Sequence, residues 1–390
     1  MKTSASPWPF ILAVFGASRL FFFAVGALAV AFLPGAAPIG DPLEPPGLLN
    51  YWAHWDGAWY SEVATEGYAP RAPESTAFFP LYPMLIGLGT NIFGGPAMWG
   101  ILISLASTLF TLYFLYRISE KLFDERAAKY ATLAMAFFPT AFFLNAVYTE
   151  APFLALTTGA VWAAMVRRDL LLAGILASLA AATRNLGILL LIPLAYEWWR
   201  NREEFGGMRG LAPLALVPVG VSVYTAYLWV RFGDPLVSAR QQGEYWGRTL
   251  TNPITTYENA AATAAEGAGR WLDPVPLFLG ESAGPSLEAS NTLSLVFLVL
   301  VIAAVWVAFF VLPPGLSVYT AIITLLPVLT PSPSFPLMSM PRFALGAFPI
   351  FLVLGFLLSR SKAGSAIWFA ICIPLGVALT ALFVTWRWVA

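Results

Sequence analysis

Residues 293–312 run for twenty positions without one charged side chain. A helix needs about 20 mostly apolar residues to cross the roughly 30 Å hydrocarbon layer of a bilayer. This run reads as a spanning helix, and it is not alone. Of 390 residues, 59% are apolar and 11% are charged. A soluble domain is nearer 45–50% apolar and about 25% charged. No globular core of this length buries so much apolar surface, so lipid must solvate much of it. That excludes an ordinary soluble enzyme, a disordered chain and a nucleic-acid binder. Basic and acidic residues number 21 each, so net charge points to no polyanionic partner. Seventeen of the basic residues are Arg and four are Lys, a skew that hints at a GC-rich prokaryotic genome.

The apolar runs alternate with charge markers. Residues 8–33 make the first candidate span. Lys2 precedes it and Ala27-Leu28-Ala29 resembles a cleavage site, so a removed leader is one reading. A retained first span suits a polytopic chain better. Residues 98–116 make a full span ending at Arg117, Lys121, Arg126 and Lys129, which the positive-inside rule places in the cytoplasm. Parity then puts the intervening loop, 34–97, outside. Within it, 78–93 is apolar but short and carries Pro80 and Pro83, so it is expected to lie at the interface. Further runs at 131–144, 152–166, 170–182, 186–199, 211–230, 293–312, 316–329, 343–358 and 366–386 bring the expectation to about 11 spans, with a second long external loop over 231–290. No tandem or inverted repeat is visible, which disfavours a two-half transporter.

Polar chemistry collects at the ends of these runs. Arg19 is the exception, well inside the first. An ionisable residue at that depth is a functional hypothesis by default; the plainer reading pairs it with a carbonyl. Trp52, Trp55 and Trp59 have helical spacing, which predicts a stripe floating at headgroup level, with Asp56 at its edge and His54 roughly opposite. A plainer role for Asp56 is to cap a helix before Gly57. Parity places Tyr148, Glu150, Arg184, Asn185, Arg231, Asp234, Arg240, Gln241, Arg248 and Arg342 on the same side. Each alone suits an interfacial anchor. Together they favour an outward-facing site for a lipid with a phosphate head. An acid there could activate a hydroxyl, and arginines at helix ends could hold a phosphate. One His and one Cys exclude His-x-x-x-His and Cys-rich zinc motifs, and Asp-x-Asp does not occur.

Several motifs, in order, resemble a known family. His54-Trp55-Asp56-Gly57-Ala58-Trp59-Tyr60, then Glu66-Gly67-Tyr68 and Phe78-Phe79-Pro80-Leu81-Tyr82-Pro83, look like the signature of the PIG-V-type mannosyltransferases. That group includes the second mannosyltransferase of GPI-anchor synthesis and bacterial relatives. Asn145-Ala146-Val147-Tyr148-Thr149-Glu150, Thr183-Arg184-Asn185-Leu186-Gly187, Phe232-Gly233-Asp234-Pro235-Leu236, Gln241, Trp246-Gly247-Arg248 and Pro341-Arg342-Phe343 follow.

The resemblance implies an all-α polytopic GT-C glycosyltransferase forming one transmembrane domain over 1–390, with its catalytic acid in the first external loop. It implies a polyprenyl-phosphate sugar donor, most likely mannose, and an inverting reaction. Asp56 is then the expected base. Arg184 and Arg342, with Arg240 or Arg248, would meet the leaving phosphate. His54, Trp55, Tyr148, Glu150, Asn185 and Gln241 would line the substrate site. No metal or other cofactor is expected. The expected partners are membrane lipid, the lipid-linked donor and a lipid, glycan or protein acceptor. The expected location is a prokaryotic plasma membrane with the site facing out. The GPI acceptor itself is eukaryotic, and the turn after Arg184 lacks an Asn-Gly pair, so the acceptor stays open. A lipid-linked-sugar flippase would share the apolar bulk and the arginines but would not need Asp56. A sugar-binding scaffold subunit is a third reading.

Overall fold

The computed structural model describes residues 6–37, 47–69 and 71–389. Lys2 and part of the loop expected to be external, 38–46, lie outside the described residues. All regular elements among the described residues are helical.

Five helical stretches are long and apolar enough to cross a membrane: Trp8–Phe32, Pro96–Leu122, Gly207–Phe232, Gly284–Val311 and Lys362–Val384. A sixth is possible if Met340–Gly346 and Pro349–Leu358, bent by 79° at their junction, form one broken span. The other apolar runs fold as shorter pieces. Pro139 has no N–H to donate, so the run expected at 131–144 stops as a helix at Ala136 and re-forms only as a 3-10 turn, Ala141–Leu144. The run at 186–199 is likewise a 3-10 turn, Asn185–Leu190, followed by the helix Leu191–Arg200. Hydropathy cannot separate a straight span from such interrupted ones.

Irregular backbone at membrane depth is tolerated only where protein covers it. Every residue from Phe138 to Glu150 is buried. Arg19 supplies part of the cover. Its guanidinium donates to the Ala136 carbonyl at 2.9 Å, the Ala141 carbonyl at 2.8 Å and Asn145 Oδ1 at 2.6 Å. Asn145 Nδ2 donates back to the Arg19 carbonyl at 3.1 Å. The buried arginine thus takes up carbonyls that the broken helix leaves over, which is the plainer of its two expected roles.

Between the first two long helices a 3-10 turn, Asn50–Trp52, leads into the helix Asp56–Glu66. After the turn Pro73–Ala77 comes the ten-residue helix Leu81–Thr90, too short to span. The tryptophan stripe does not form. Trp52 precedes the helix and is buried edge-on against Phe23, with centroids 4.9 Å apart, over a site where Gly26 leaves no room for a Cβ. The second long polar segment, 231–290, is largely helical, with Val237–Glu244, Pro253–Leu272 and Pro274–Leu279. Pro253–Leu272 packs through Thr256, Ala260, Ala264 and Gly267 against Gly284–Val311. A Cβ on Gly267 would sit 2.1 Å from the Glu288 carbonyl oxygen, so this spacing of small residues sets the approach.

Candidate active site

Asp56 is the first residue of its helix. Among the described residues its side chain accepts from Arg342 Nη1 at 2.7 Å. The aim is set one residue earlier. Trp55 has φ 58° and ψ −119°, a conformation that a bulky side chain adopts at a cost of roughly 1–3 kcal/mol. Packing holds it there. The Trp55 ring meets Trp388 edge-on at 5.0 Å and Trp386 at 5.7 Å. His54 stacks on Trp386 at 3.9 Å, and its Nδ1 lies 3.2 Å from the Phe383 carbonyl. Burial pushes the His54 imidazole down to about 4, against the opposing bond to Phe383, so the ring is neutral at physiological pH.

Glu150 opens the helix Glu150–Trp162, straight after the buried turn. A carboxylate in the first helical turn suits the positive end of the helix dipole. Its Oε1 accepts from Arg184 Nη2 at 2.6 Å and from Arg342 Nε at 2.9 Å. Its Oε2 is buried without a partner. Burial alone would raise this carboxyl; the two guanidiniums together outweigh it and hold Glu150 below the ordinary carboxylate value.

Arg184 ends the helix Leu170–Thr183, where the chain doubles back. The reversal depends on Gly187, because a Cβ there would lie 2.3 Å from the Ala181 nitrogen. Arg184 Nε donates to Thr149 Oγ1 at 2.8 Å, and the Tyr60 hydroxyl lies 3.0 Å from that same oxygen. Burial keeps Tyr60 protonated, pushed up to about 12, with Arg184 opposing. Arg342 follows Ser339, whose φ is 69°, on the short helix Met340–Gly346. Its guanidinium lies over the Tyr148 ring at 4.7 Å and the Phe143 ring at 5.2 Å, and the Tyr148 hydroxyl donates to the His54 carbonyl at 3.0 Å.

The result is one chain of contacts, Asp56 to Arg342 to Glu150 to Arg184 to Thr149 to Tyr60. Arg248 adds a further cation. It is half-buried, and among the described residues its bonds go to the carbonyls of Thr330, at 3.2 Å, and Met338, at 3.5 Å, with no carboxylate. Burial and the nearby Arg342 both lower its pKa while Asp56 opposes, so Arg248 is in electrostatic reach of the pair. Three guanidiniums therefore face two carboxylates. Such a surplus positive charge can take an anion with charge-assisted bonds. Asp56, at 23% side-chain exposure, is the acid that solvent or a substrate reaches; Glu150 is sealed.

The structure thus brings together Asp56, Tyr148, Glu150, Arg184, Arg248 and Arg342, with His54 and Trp55 as supports behind Asp56. Others lie apart. Arg240 is exposed and paired with Asp234 at 2.7 Å. Gln241 is buried and donates to Glu244 at 2.8 Å. Asn185 is exposed at the turn. Sequence reasoning missed Tyr60, Thr149 and Phe143. Tyr60 and Thr149 sit inside the motifs that carried the resemblance, which was the one available signal. Among the described residues no group of three or more His, Cys, Asp or Glu converges as metal ligands would.

Residues 73–203, about a third of the chain, match the family model described as dolichyl-phosphate-mannose-protein mannosyltransferase. The matched stretch contains Tyr148, Glu150 and Arg184 but neither Asp56 nor Arg342. Comparison with curated proteins finds no match. Among solved structures, the Archaeoglobus fulgidus oligosaccharyltransferase tethered to an acceptor peptide aligns at 14% identity and a TM-score of 0.47, covering 98% of this chain. The chain spans 55% of the length of that protein. The same archaeon's oligosaccharyltransferase AglB, in complex with an inhibitory peptide and a dolichol-phosphate, aligns at 12% identity and a TM-score of 0.42, over 96% of this chain and 55% of that one. ArnT from Cupriavidus metallidurans, bound to undecaprenyl phosphate, aligns at 13% identity and a TM-score of 0.37, over 93% and 80%.

Proposed function

We propose that this chain is a GT-C glycosyltransferase of the PIG-V type. It moves a hexose, mannose, from a polyprenyl-phosphate donor to an acceptor hydroxyl at the outer face of a prokaryotic plasma membrane, with inversion. The observation that carries this reading is the part-exposed Asp56 tied through Arg342 to a buried Glu150, with the surplus cation Arg248 alongside. The family model over 73–203 supports the donor class.

In this reaction the acceptor oxygen attacks the anomeric carbon. The bond from that carbon to the phosphate oxygen breaks, its electron pair leaves with the lipid phosphate, and the acceptor proton passes to Asp56. The leaving phosphate gains negative charge, which the one-charge surplus of three arginines over two carboxylates is suited to meet. Arginines rather than a metal carry that neutralisation. Glu150 binds no substrate in this scheme; it fixes Arg184 and Arg342 so that their remaining N–H groups point at the phosphate.

The test uses the purified chain in detergent with a mannose-charged polyprenyl phosphate, following release of free lipid phosphate. Asp56→Asn should slow release by about 10²–10⁴-fold, the usual worth of a general base, with donor binding intact. Near-normal turnover would remove Asp56 from the role.

A further inference from the structure

Beside Asp56 the surface carries an aromatic corner that the reaction above does not use. Trp59, one helical turn after Asp56, stacks on Phe78 with centroids 5.6 Å apart and 16° between planes. Tyr245 stands at 90° to Trp59, 6.0 Å away, and packs on Trp246 at 4.6 Å. Trp246 closes the corner against Phe78 at 5.8 Å. The rings make a floor and a wall. Tyr245 is 55% exposed at the lip, while Trp59 and Trp246 are half-buried.

The corner is wired to the cation site. Gly247, at φ 66°, turns the chain between Trp246 and Arg248. Trp246 thereby joins the aromatic corner while Arg248 reaches the carbonyls of Thr330 and Met338 near Arg342. Neither indole N–H, of Trp59 or of Trp246, has a hydrogen-bond partner among the described residues, and neither is sealed from solvent.

The surroundings decide the occupant. Glu62 follows Trp59 by three residues on the same helix, Glu74 precedes Phe78 by four, and Glu244 immediately precedes Tyr245. Glu62 lies close enough to Glu66 and Glu74 that burial and these two carboxylates push its own carboxyl up, with Arg71 opposing, so carboxylates outnumber cations on this side. An acidic rim repels an anionic lipid surface, so the rings are poorly placed as a bilayer anchor. A lipid tail would want an apolar rim. A pyranose ring matches each element: its face of C–H bonds stacks on a Trp or Tyr ring, its hydroxyls take the free indole N–H donors, and its neutrality suits the acidic rim.

We propose that the corner formed by Trp59, Tyr245 and Trp246 is an acceptor subsite for a neutral saccharide, which it holds with a hydroxyl directed at Asp56. The glycosyl-transfer role rests on the reading above, whereas saccharide binding at the corner can be measured without any turnover.

The experiment titrates soluble α-linked mannotriose against the full chain in detergent and reads saturation transfer by NMR. It uses Asp56→Asn as background so that no reaction intervenes. Binding is expected, with Trp59→Ala and Tyr245→Ala each weakening it about tenfold or more and Trp59→Tyr keeping it within about threefold. Retention by Trp59→Tyr separates a stacking role from misfolding. Binding with no glycosyl transfer in the parent chain would leave the subsite standing and remove the proposed reaction. Mannotriose that fails to bind, or binds the alanine variants equally, overturns the subsite. A nitroxide at Tyr245→Cys settles the membrane alternative, because the chain has one other cysteine, Cys372, and it is buried. In nanodiscs that label should be accessible to a water-soluble relaxer. Accessibility to oxygen alone would make the corner a bilayer anchor and overturn the proposal.

Discussion

Arg342 and Asp56 meet at 2.7 Å across 286 residues of chain, and the same guanidinium holds Glu150 through its Nε at 2.9 Å. One side chain therefore links an acid that solvent reaches to an acid that it does not. The two carboxylates should respond differently to the same chemical change.

Glu150→Gln leaves two guanidiniums facing a neutral amide in a sealed site. Breaking one side of a buried charge cluster costs about 3–5 kcal/mol. Thermal unfolding in detergent should show a large loss for Glu150→Gln. For Asp56→Asn, whose pair is part-exposed, the loss should be small, even though release of lipid phosphate falls by the larger factor there. Equal thermal losses would contradict the assignment of separate roles.

Among the described residues Arg248 has carbonyl partners and no carboxylate, so its charge is free for a ligand. Arg248→Met should leave thermal stability within about 1 kcal/mol, because it removes an uncompensated cation from a partly dry site. Binding of polyprenyl phosphate should weaken by about 10–100-fold, the worth of one charge-assisted contact. Unchanged affinity would place the phosphate elsewhere.

His54 gives a pH prediction. In the folded chain its pKa is pushed down to about 4; unfolded, an imidazole titrates near 6.5. Between these values the unfolded chain binds the extra proton, so stability falls as pH drops from about 6.5 toward about 4, by on the order of 2 kcal/mol at pH ~5. The Glu150 contribution is also lost on acidification, but only below the ordinary carboxylate value. Melting curves between pH ~7 and pH ~5 should therefore show a steeper decline for the native chain than for His54→Gln.

Gly187→Ala tests the turn that presents Arg184. Its new Cβ would fall 2.3 Å from a backbone nitrogen, so the reversal must open. A loss of roughly 1–3 kcal/mol is expected, the usual cost of overpacking. Donor binding should fall with it, because Arg184 sits at the first residue of the displaced turn. A variant that keeps both would show that the turn is dispensable to Arg184.

The charge-poor apolar runs were legible from sequence because a membrane imposes length and hydropathy together. So was the short helix Leu81–Thr90, whose brevity and prolines gave it away. The breaks were legible only in part. Pro139 stands inside 131–144 as a local stop, but nothing in that pattern shows that Arg19 covers the carbonyls left over, because the cover comes from more than a hundred residues away. The charged cluster was partly legible. Glu150, Arg184 and Arg342 stood out as ions at the ends of apolar runs, Asp56 as the acid of a tryptophan-rich loop motif, and Arg248 as a cation of the second long polar segment. That Arg240 faces Asp234 instead, and that His54 is a buried support, depend on side-chain directions that spacing does not encode. Trp55 was the hardest case. A tryptophan with positive φ has no sequence marker, since its cause is the packing of Trp386 and Trp388 at the far end of the chain.

That arrangement bears on how the molecule is made. Glu150 gains its first arginine 34 residues later in synthesis, whereas Asp56 waits 286 residues for its own, and His54 waits 329 for the Phe383 carbonyl. A nascent chain halted between Arg184 and Arg342 would carry a neutralised inner acid and an outer acid without its guanidinium. Competence at this centre arrives as a single late event in translation, and no amino-terminal fragment can hold a part share of it.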